Sequence, residues 1–451
     1  MKDSINRRNF MRSTAALGAG LFLAQGSRAK GSTSKNDVIN VGLLGAGAQG
    51  QVLMNACLKL GENSGMRFRS VCDIWESNNL QRVSRTLNAY KKLGHAGTPY
   101  TDYREMIDKE DLDAVIIATP DFWHSRHTVA CLEKGLHVYC EKEMSNTLED
   151  ARKMVVAARK SGKLLQIGHQ RRSNPRYKFC YDKIITEADL LGRITTINGQ
   201  WNRSRSACED LSFPVGKEID KATLNKYGFE SMKQFRNWRW YRGLGGGPIV
   251  DLGSHQIDIY SWFLDAQPKS VIASGGVDYW TDHEWYDNVI AIFEFATKKG
   301  MVRASYQTTT TNSYRGYFET FMGDEATLVI SEDASQVGLY RETGVLEDQW
   351  YPWENKRYIK LSQGLAQASN KKSVLDIRSS PKPPKYDMFV EMNKPFHQPH
   401  LENFFAGIRG EEKLNCPGEI GYETAVAVLK VNEAVASGKK IEFSPEEFHV
   451  A

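Results

Sequence analysis

Apolar and polar positions divide the chain into two differently patterned stretches. From residue 38 a short apolar run (Val38, Ile39, Val41, Leu43, Leu44) leads into the turn Gly45-Ala46-Gly47-Ala48-Gln49-Gly50 and then into a helical stretch over 51–60. A second apolar run at 66–72 ends on Asp73, and a third at 112–118 ends on Thr119-Pro120. Further runs at 136–140 and 164–168 each follow a helical stretch, at 124–134 and 147–161. Short strands alternating with helices specify a parallel, doubly wound sheet. The expectation is an α/β chain whose first folded unit is a Rossmann domain over residues 35–168. Past Gly168 the runs at 194–201, 270–275, 289–295, 301–307 and 327–330 are strand-like, with few helices between them. They predict a second, α+β domain over 169–451, built on a large, mostly antiparallel open sheet. Two polar stretches, 202–242 and 332–398, lack clear periodicity, and long connections of this kind are more often functional than random. A helix over 420–437 stops before Gly438 and belongs to a C-terminal segment placed to pack back on the first domain.

Composition changes this picture at the N-terminus. The 451 residues carry 59 Lys+Arg against 54 Asp+Glu, a net charge of +5, with 41% hydrophobic and 25% charged residues. These are ordinary globular values, which exclude fibrous and mostly disordered chains. The apolar run at 15–24 is shorter than the roughly 18 residues a membrane span needs, so no stable membrane insertion is expected. Preceded by Arg7-Arg8-Asn9-Phe10-Met11, it resembles a twin-arginine export signal over residues 1–34, with Ser27-Arg28-Ala29 as a cleavage site. A basic amphipathic helix is the alternative, but the Gly and Ala content of the run makes a poor helical face. Removal of residues 1–29 leaves 54 basic against 53 acidic residues. A nucleic-acid partner, whose binding rests on neutralising phosphate charge, then loses its support. The seven cysteines (57, 72, 131, 140, 180, 208, 416) form no CxxC pair and no metal-ligand cluster, so free thiols and no metal are expected.

The glycine turn carries the first chemistry. Gly45-x-Gly47-x-x-Gly50 follows a strand and opens a helix, the context in which such a turn cradles a pyrophosphate. The first glycine permits the turn and the second lets backbone approach the ligand. The helix start at Ala48 and Gln49 supplies N–H groups and the positive end of a dipole. Asp73 lies 28 residues after Gly45, beyond the usual spacing of about 20, but it stands at the end of the second strand. A carboxylate there accepts from ribose hydroxyls and repels a 2′-phosphate, which favours NAD over NADP.

Three further segments point to one family. Ala118-Thr119-Pro120-Asp121-Phe122-Trp123-His124 resembles an ATP-x-x-x-H segment, and Glu141-Lys142-Glu143-Met144 is a variant of an E-K-P motif. The run Gly245-Gly246-Gly247 through Asp251-Leu252-Gly253-Ser254-His255 to Asp258 resembles a GGG-x-x-x-D-x-G-x-H-x-x-D signature. In this order they resemble the Gfo/Idh/MocA family of glucose-fructose oxidoreductases and inositol dehydrogenases, over about residues 36–445. The resemblance implies that Thr119, Pro120, His124 and Glu141 line the cofactor. It implies that Lys142, beside the nicotinamide, holds the reacting hydroxyl, that His255 exchanges the hydroxyl proton, and that Asp251 orients the histidine or the substrate. Arg172 and Tyr177 are implied on the substrate side, while Asp258 is either functional or structural. Glu143 departs from the proline of the motif, which would rigidify the turn. The aromatic run Asn237-Trp238-Arg239-Trp240-Tyr241-Arg242 precedes the glycine triplet, so Trp238 and Trp240 are expected to stack on a sugar. An ordinary core or subunit-contact cluster remains the alternative.

Export and cofactor together constrain the activity that the resemblance implies. Free NAD is scarce outside the cytoplasm, so a periplasmic or otherwise exported enzyme is expected to hold its cofactor tightly. The expected reaction transfers hydride between a sugar or glycoside and bound NAD. A redox-neutral glycosidase working by transient oxidation and elimination is the alternative, and a non-catalytic dinucleotide or sugar-binding protein is the third reading. An open sheet with one uncovered face predicts a homodimer or homotetramer.

Overall fold

The computed structural model describes residues 38–362 and 382–450. Residues 1–34, on which the expected export signal falls, lie outside them. The first sheet contains β1 (Ile39–Leu44), β2 (Met66–Cys72), β3 (Thr98–Tyr100), β4 (Ala114–Ile117), β5 (His137–Cys140) and β6 (Leu165–Ile167). Its order is β3-β2-β1-β4-β5-β6, with every pair parallel. The order reverses between β1 and β4, so their carboxyl ends open the crevice in which α/β sheets bind ligands. Around the sheet run α1 (Ala48–Leu58), α2 (Gln81–Ala89), α3 (Tyr103–Lys109), α4 (Asp121–Glu133) and α5 (Leu148–Ser161).

Strand alternation explains why the runs read as continuously apolar. Ala114 and Ile116 of β4 point into one layer, with Val41, Leu43 and Tyr139. Val115 and Ile117 point into the other, with Leu132, Val138 and Met154 beneath α4 and α5. Both faces are covered, so no position is left for a polar residue.

The second sheet has ten strands in the order β14-β15-β13-β12-β11-β7-β10-β9-β8-β16. They are β7 (Ile194–Asn202), β8 (Pro268–Gly276), β9 (Asn288–Thr297), β10 (Gly300–Thr309), β11 (Tyr317–Gly323), β12 (Ala326–Ile330), β13 (Gly338–Arg341), β14 (Ile359–Leu361), β15 (Lys385–Met388) and β16 (Ile441–Glu442). Only β7 and β10 pair in parallel. The stretch 332–398 is thus not a single loop: it supplies β13, β14 and β15. Between β7 and β8 lie α6 (Lys221–Lys226), α7 (Met232–Arg236) and α8 (Ser254–Leu264). Ile257, Tyr260 and Phe263 of α8 share a core with Phe293 and Phe295 of β9.

The C-terminal segment packs back on the first domain. In α9 (Gln398–Ile408), Leu401, Phe404 and Phe405 close the layer above β1 and β2. Before α10 (Gly418–Ser437), Cys416 O accepts from Ile167 N at the edge of β6. All seven cysteines are free and buried. Among the described residues no helix is long and apolar enough to cross a membrane.

Candidate active site

A cleft of about 390 Å³ runs from the glycine turn to the edge of the second sheet. At its first end Gly45 has φ +94°, and a Cβ there would lie 2.5 Å from Ala118 O, so only glycine fits between β1 and β4. Gly47 lines the cleft with nothing within 4 Å of its missing Cβ, leaving backbone open to a ligand. Ala48 and Gln49 line it as the first residues of α1. Gly50 does not: a Cβ there would meet Gly45 O at 1.9 Å, so this glycine seats the helix on the turn. Asp73 Oδ2 accepts from Ala46 N at 2.7 Å and Oδ1 from Trp75 N at 2.7 Å. Burial raises its pKa, against the pull of those two amides. The carboxylate therefore braces the turn while still lining the cleft.

The middle of the cleft is set by two turns, Thr119-Pro120 after β4 and Glu141-Lys142 after β5. Lys142 Nζ donates to Asp251 O at 2.5 Å and lies 3.9 Å from Asp251 Oδ1. The peptide bond between Lys142 and Glu143 is cis. His124 is not a lining residue. Its ring nitrogens meet Glu143 O and Thr119 O, each at 2.7 Å, and burial pulls its pKa down to about 4. It ties the two turns together from behind the cleft wall.

Asp251 and His255 lie one helical turn apart where α8 begins, and both line the cleft. They do not pair. Asp251 is gripped by Arg239 Nε at 3.0 Å and Arg203 Nη1 at 3.3 Å. Burial alone would raise its pKa, but Arg239, Arg203 and Lys142 together hold it well below the carboxylate range. His255 Nδ1 is buried without a partner, and the ring sits 5.5 Å from that of Trp201. Burial, reinforced by Lys142 and Arg171, drives the His255 pKa far below the ordinary value. At neutral pH the ring is an uncharged proton acceptor.

Three residues expected on the substrate side lie elsewhere. Arg172 is buried and bidentate on Asp258, with Nε at 2.8 and 3.0 Å from the two carboxylate oxygens. Thr424 also donates to that carboxylate, so Asp258 joins the loop after β6 to α8 and α10. Tyr177 is fully buried, and its hydroxyl donates to Glu319 Oε2 at 2.8 Å. Trp240 stacks on His283 at 4.8 Å outside the cleft, whereas Trp238 lines it. Beside that stack His283, Asp210 and Asp282 converge, and the ammonium of Lys233 lies 2.8 Å from Asp210 and 3.3 Å from Asp282.

The cleft also holds residues that sequence reasoning missed. Asp121, the first residue of α4, is buried in the wall without a salt-bridge partner, and burial pushes its pKa up to about 7 against Arg239 and Lys142. It sits inside the ATP-x-x-x-H segment, but only burial distinguishes it from a helix-capping acid. Arg203 and Trp201 line the far end, beside Arg239 of the aromatic run expected to border the cleft. His397 reaches in from the C-terminal segment, 3.0 Å from Gln49 Nε2, with no local sequence signal.

The glycine turn, its open backbone and the braced Asp73 fit a dinucleotide. Known proteins agree. The family described as an oxidoreductase family with an NAD-binding Rossmann fold matches residues 39–169, and the Gfo/Idh/MocA C-terminal domain matches residues 183–329. The chain is 30% identical over 186 residues to the 1,5-anhydro-D-fructose reductase of Ensifer adhaerens, covering 41% of this chain and 47% of that protein. It is 28% identical over 240 residues to a scyllo-inositol 2-dehydrogenase (NADP(+)) of Bacillus subtilis, covering 53% and 55%. The chain thus spans about half the length of these curated relatives. Levoglucosan dehydrogenase in complex with NADH and levoglucosan shares the fold at a TM-score of 0.66, with 17% identity over 90% of this chain and 99% of that one. Both halves of the molecule match domains of one family in sequence, and the whole described fold follows the same architecture: the chain belongs to the Gfo/Idh/MocA oxidoreductases.

Proposed function

We propose that the protein is an exported, NAD-dependent sugar oxidoreductase that retains its cofactor. The observation carrying this reading is that one cleft is lined by the glycine turn and Asp73 and also by Lys142, Asp251 and His255. Bound NAD would supply the hydride acceptor. Around the reacting hydroxyl, Lys142 donates a hydrogen bond to the oxygen, its ammonium fixed by the main-chain oxygen of Asp251. The uncharged His255 accepts the hydroxyl proton. A histidine whose protonated form is so disfavoured by burial and by Lys142 then releases that proton readily.

Asp73 favours NAD over NADP, since its carboxylate faces a 2′-phosphate with like charge. Retention is supported by the segment between β7 and α8, which lies over the nucleotide half. Trp75 Nε1 donates to Lys217 O at 2.5 Å, Trp123 Nε1 to Tyr227 O at 3.0 Å, and Tyr227 Oη to Thr101 O at 3.2 Å. Export rests on Arg7-Arg8 and the apolar run that follows.

The full-length protein, purified without added nucleotide, tests this reading. Absorbance and mass spectrometry are expected to find bound NAD, and a sugar and glycoside screen to give cofactor reduction with ketosugar products. Nucleotide-free protein would remove the retention claim. Release of aglycone without net cofactor reduction would assign the chain to redox-neutral glycoside cleavage instead.

A further inference from the structure

The substrate end of the cleft has an unusual charge arrangement. Asp251 lies deep, its side chain 15% exposed, while the two arginines that grip it are 35% (Arg203) and 42% (Arg239) exposed. Each arginine spends a single nitrogen on Asp251, Nη1 from Arg203 and Nε from Arg239. Among the described residues no other hydrogen bond engages either guanidinium, and both arginines line the cleft.

Each guanidinium also lies over an indole ring. The Arg203 guanidinium carbon lies 5.5 Å from the Trp201 ring centroid, and that of Arg239 lies 4.3 Å from the Trp238 ring centroid. Two arginines fixed by indole faces and a shared carboxylate lose little freedom on binding, and the planar guanidinium edge matches an oxyanion. The neighbouring charges do not cancel this. Lys142 adds a third cation. Of the other carboxyls in the wall, Asp73 lies at the nucleotide end and accepts from Ala46 N and Trp75 N, Glu141 accepts from Tyr139 Oη and Lys142 N, and Asp121, pushed up to about 7 by burial, is partly uncharged near neutrality. A neutral sugar would leave the free arginine donors facing only hydroxyls.

We infer that the substrate is an anionic sugar, whose carboxylate or phosphate group is held by Arg203 and Arg239 while the reacting hydroxyl lies at Lys142 and His255. The inference rests on the reading of this cleft as a sugar-oxidising site. It adds that the two arginines select for charge.

The test compares matched pairs with the full-length, NAD-loaded protein: methyl glucoside, galactoside and mannoside against the corresponding methyl uronides, with glucose 6-phosphate as the phosphate arm. Binding is read by tryptophan fluorescence, which does not require turnover, and oxidation by cofactor reduction. At least one uronide, or the sugar phosphate, is expected to exceed its neutral counterpart by about tenfold or more in affinity, as a charge-assisted bidentate contact would give. Raising the salt concentration should narrow that ratio by screening. In Arg203→Gln and Arg239→Gln the anion-to-neutral ratio should fall toward one. The ratio is internally referenced, so a general loss of activity does not imitate this result, and the wild-type ratio and its salt dependence stand if a variant fails to fold. Preference for the neutral sugar in every pair, or a ratio indifferent to salt, overturns the inference even if sugars are oxidised. Preferential binding of the anionic sugars with no oxidation of any of them would uphold the inference and overturn the oxidoreductase reading.

Discussion

Lys142 and His255 divide the work at the reacting hydroxyl, and the geometry assigns them different losses. Lys142→Ala removes the only ammonium at the turn after β5, and His255→Ala removes the uncharged base. Each is expected to lower kcat/KM by roughly 10²- to 10⁴-fold on whichever sugar the wild type oxidises, the usual range for a positioned acid–base group. Steady-state cofactor reduction checks this, and wild-type rates in both variants would place the proton chemistry on other residues of the cleft. Glu143 allows a sharper prediction. Its Oε1 accepts from Met144 N, Oε2 is buried without a partner, and burial lifts its pKa from an ordinary 4.5 to about 8. Between those two values the folded chain keeps a proton that the unfolded chain has released, so this residue makes stability fall as pH rises through the window. Glu143→Gln has no proton to lose. The variant should gain stability over wild type progressively from about pH 4.5 to about pH 8, by an amount on the order of a few kcal/mol that shows as a widening Tm difference, and no further above that range. A gap of equal size at both ends, measured by thermal melts, would sink the idea. The glycines were legible in the sequence because their spacing between a strand and a helix is itself the chemical signal, whereas Lys142 and His255 followed from the resemblance of their segments to the family's motifs, and both line the cleft. Arg172, Tyr177 and Trp240 were misplaced because a guanidinium, a phenol or an indole is claimed by whatever tertiary partner lies nearest, here Asp258, Glu319 and His283. Asp251 lies one turn from His255, and the arginines that hold its carboxylate, Arg203 and Arg239, come from other segments and leave no local signal beside it.

Among the elements, β4 was legible because both of its faces are covered and its run is uniformly apolar, and β1 and β2 because apolar residues dominate their runs despite Asn40, Arg67, Arg69 and Ser70. β3 was not, being three residues, Thr-Pro-Tyr, at the sheet edge. β11 was missed between β10 and β12 because Glu319 stands in its middle as a buried ion-pair partner of Arg171 and breaks the apolar pattern. The stretch 332–398 hid β13, β14 and β15 because each is only three or four residues long and relies on its neighbours for pairing. The junction of β1 and α1 carries the prediction at this scale. Gly50 lies outside the cleft, yet a methyl group there would fall 1.9 Å from Gly45 O, a backbone atom that cannot move without shifting the turn. Gly50→Ala should therefore push α1 off the turn and weaken both the fold and dinucleotide binding. The expected result is a lowered Tm and at least about a tenfold rise in the NADH Kd, comparable to the cost of an overpacked core site. Fluorescence titration with NADH decides it, and unchanged affinity would return Gly50 to the role of an ordinary helix residue.

For the whole molecule, the open question of architecture is what lies over the outer face of the ten-stranded sheet. The inner face carries Val289, Ala291, Phe293 and Phe295 of β9, all buried. The alternate residues of the same strand, Ile290 and Ile292, are 56% and 43% exposed, and Ile272 on β8 stands directly opposite Ile292 in the antiparallel register. Met301 on β10 extends the same outward set, with Arg303 paired to Glu294 between them. Adjacent isoleucines on a broad sheet with a polar border mark an interaction face rather than scattered surface residues. Residues 30–451 carry 54 basic against 53 acidic residues, so two copies meet without strong net repulsion. We propose that this face joins copies of the chain into a homodimer or a homotetramer, the face being self-complementary about a twofold axis. Light scattering coupled to gel filtration should give the mass of two or four chains for the wild type. The double substitution Ile290→Asp, Ile292→Asp places like charges across that axis without touching the core face, so it should yield a folded monomer with an unchanged circular dichroism spectrum. A wild type that runs as a monomer, or a double variant that keeps the oligomer mass, would assign the outer face to solvent or to a different partner. The cleft opens on the other side of this sheet's core helices, so a monomeric variant should also retain bound dinucleotide, and its loss would mean that assembly completes the cofactor site.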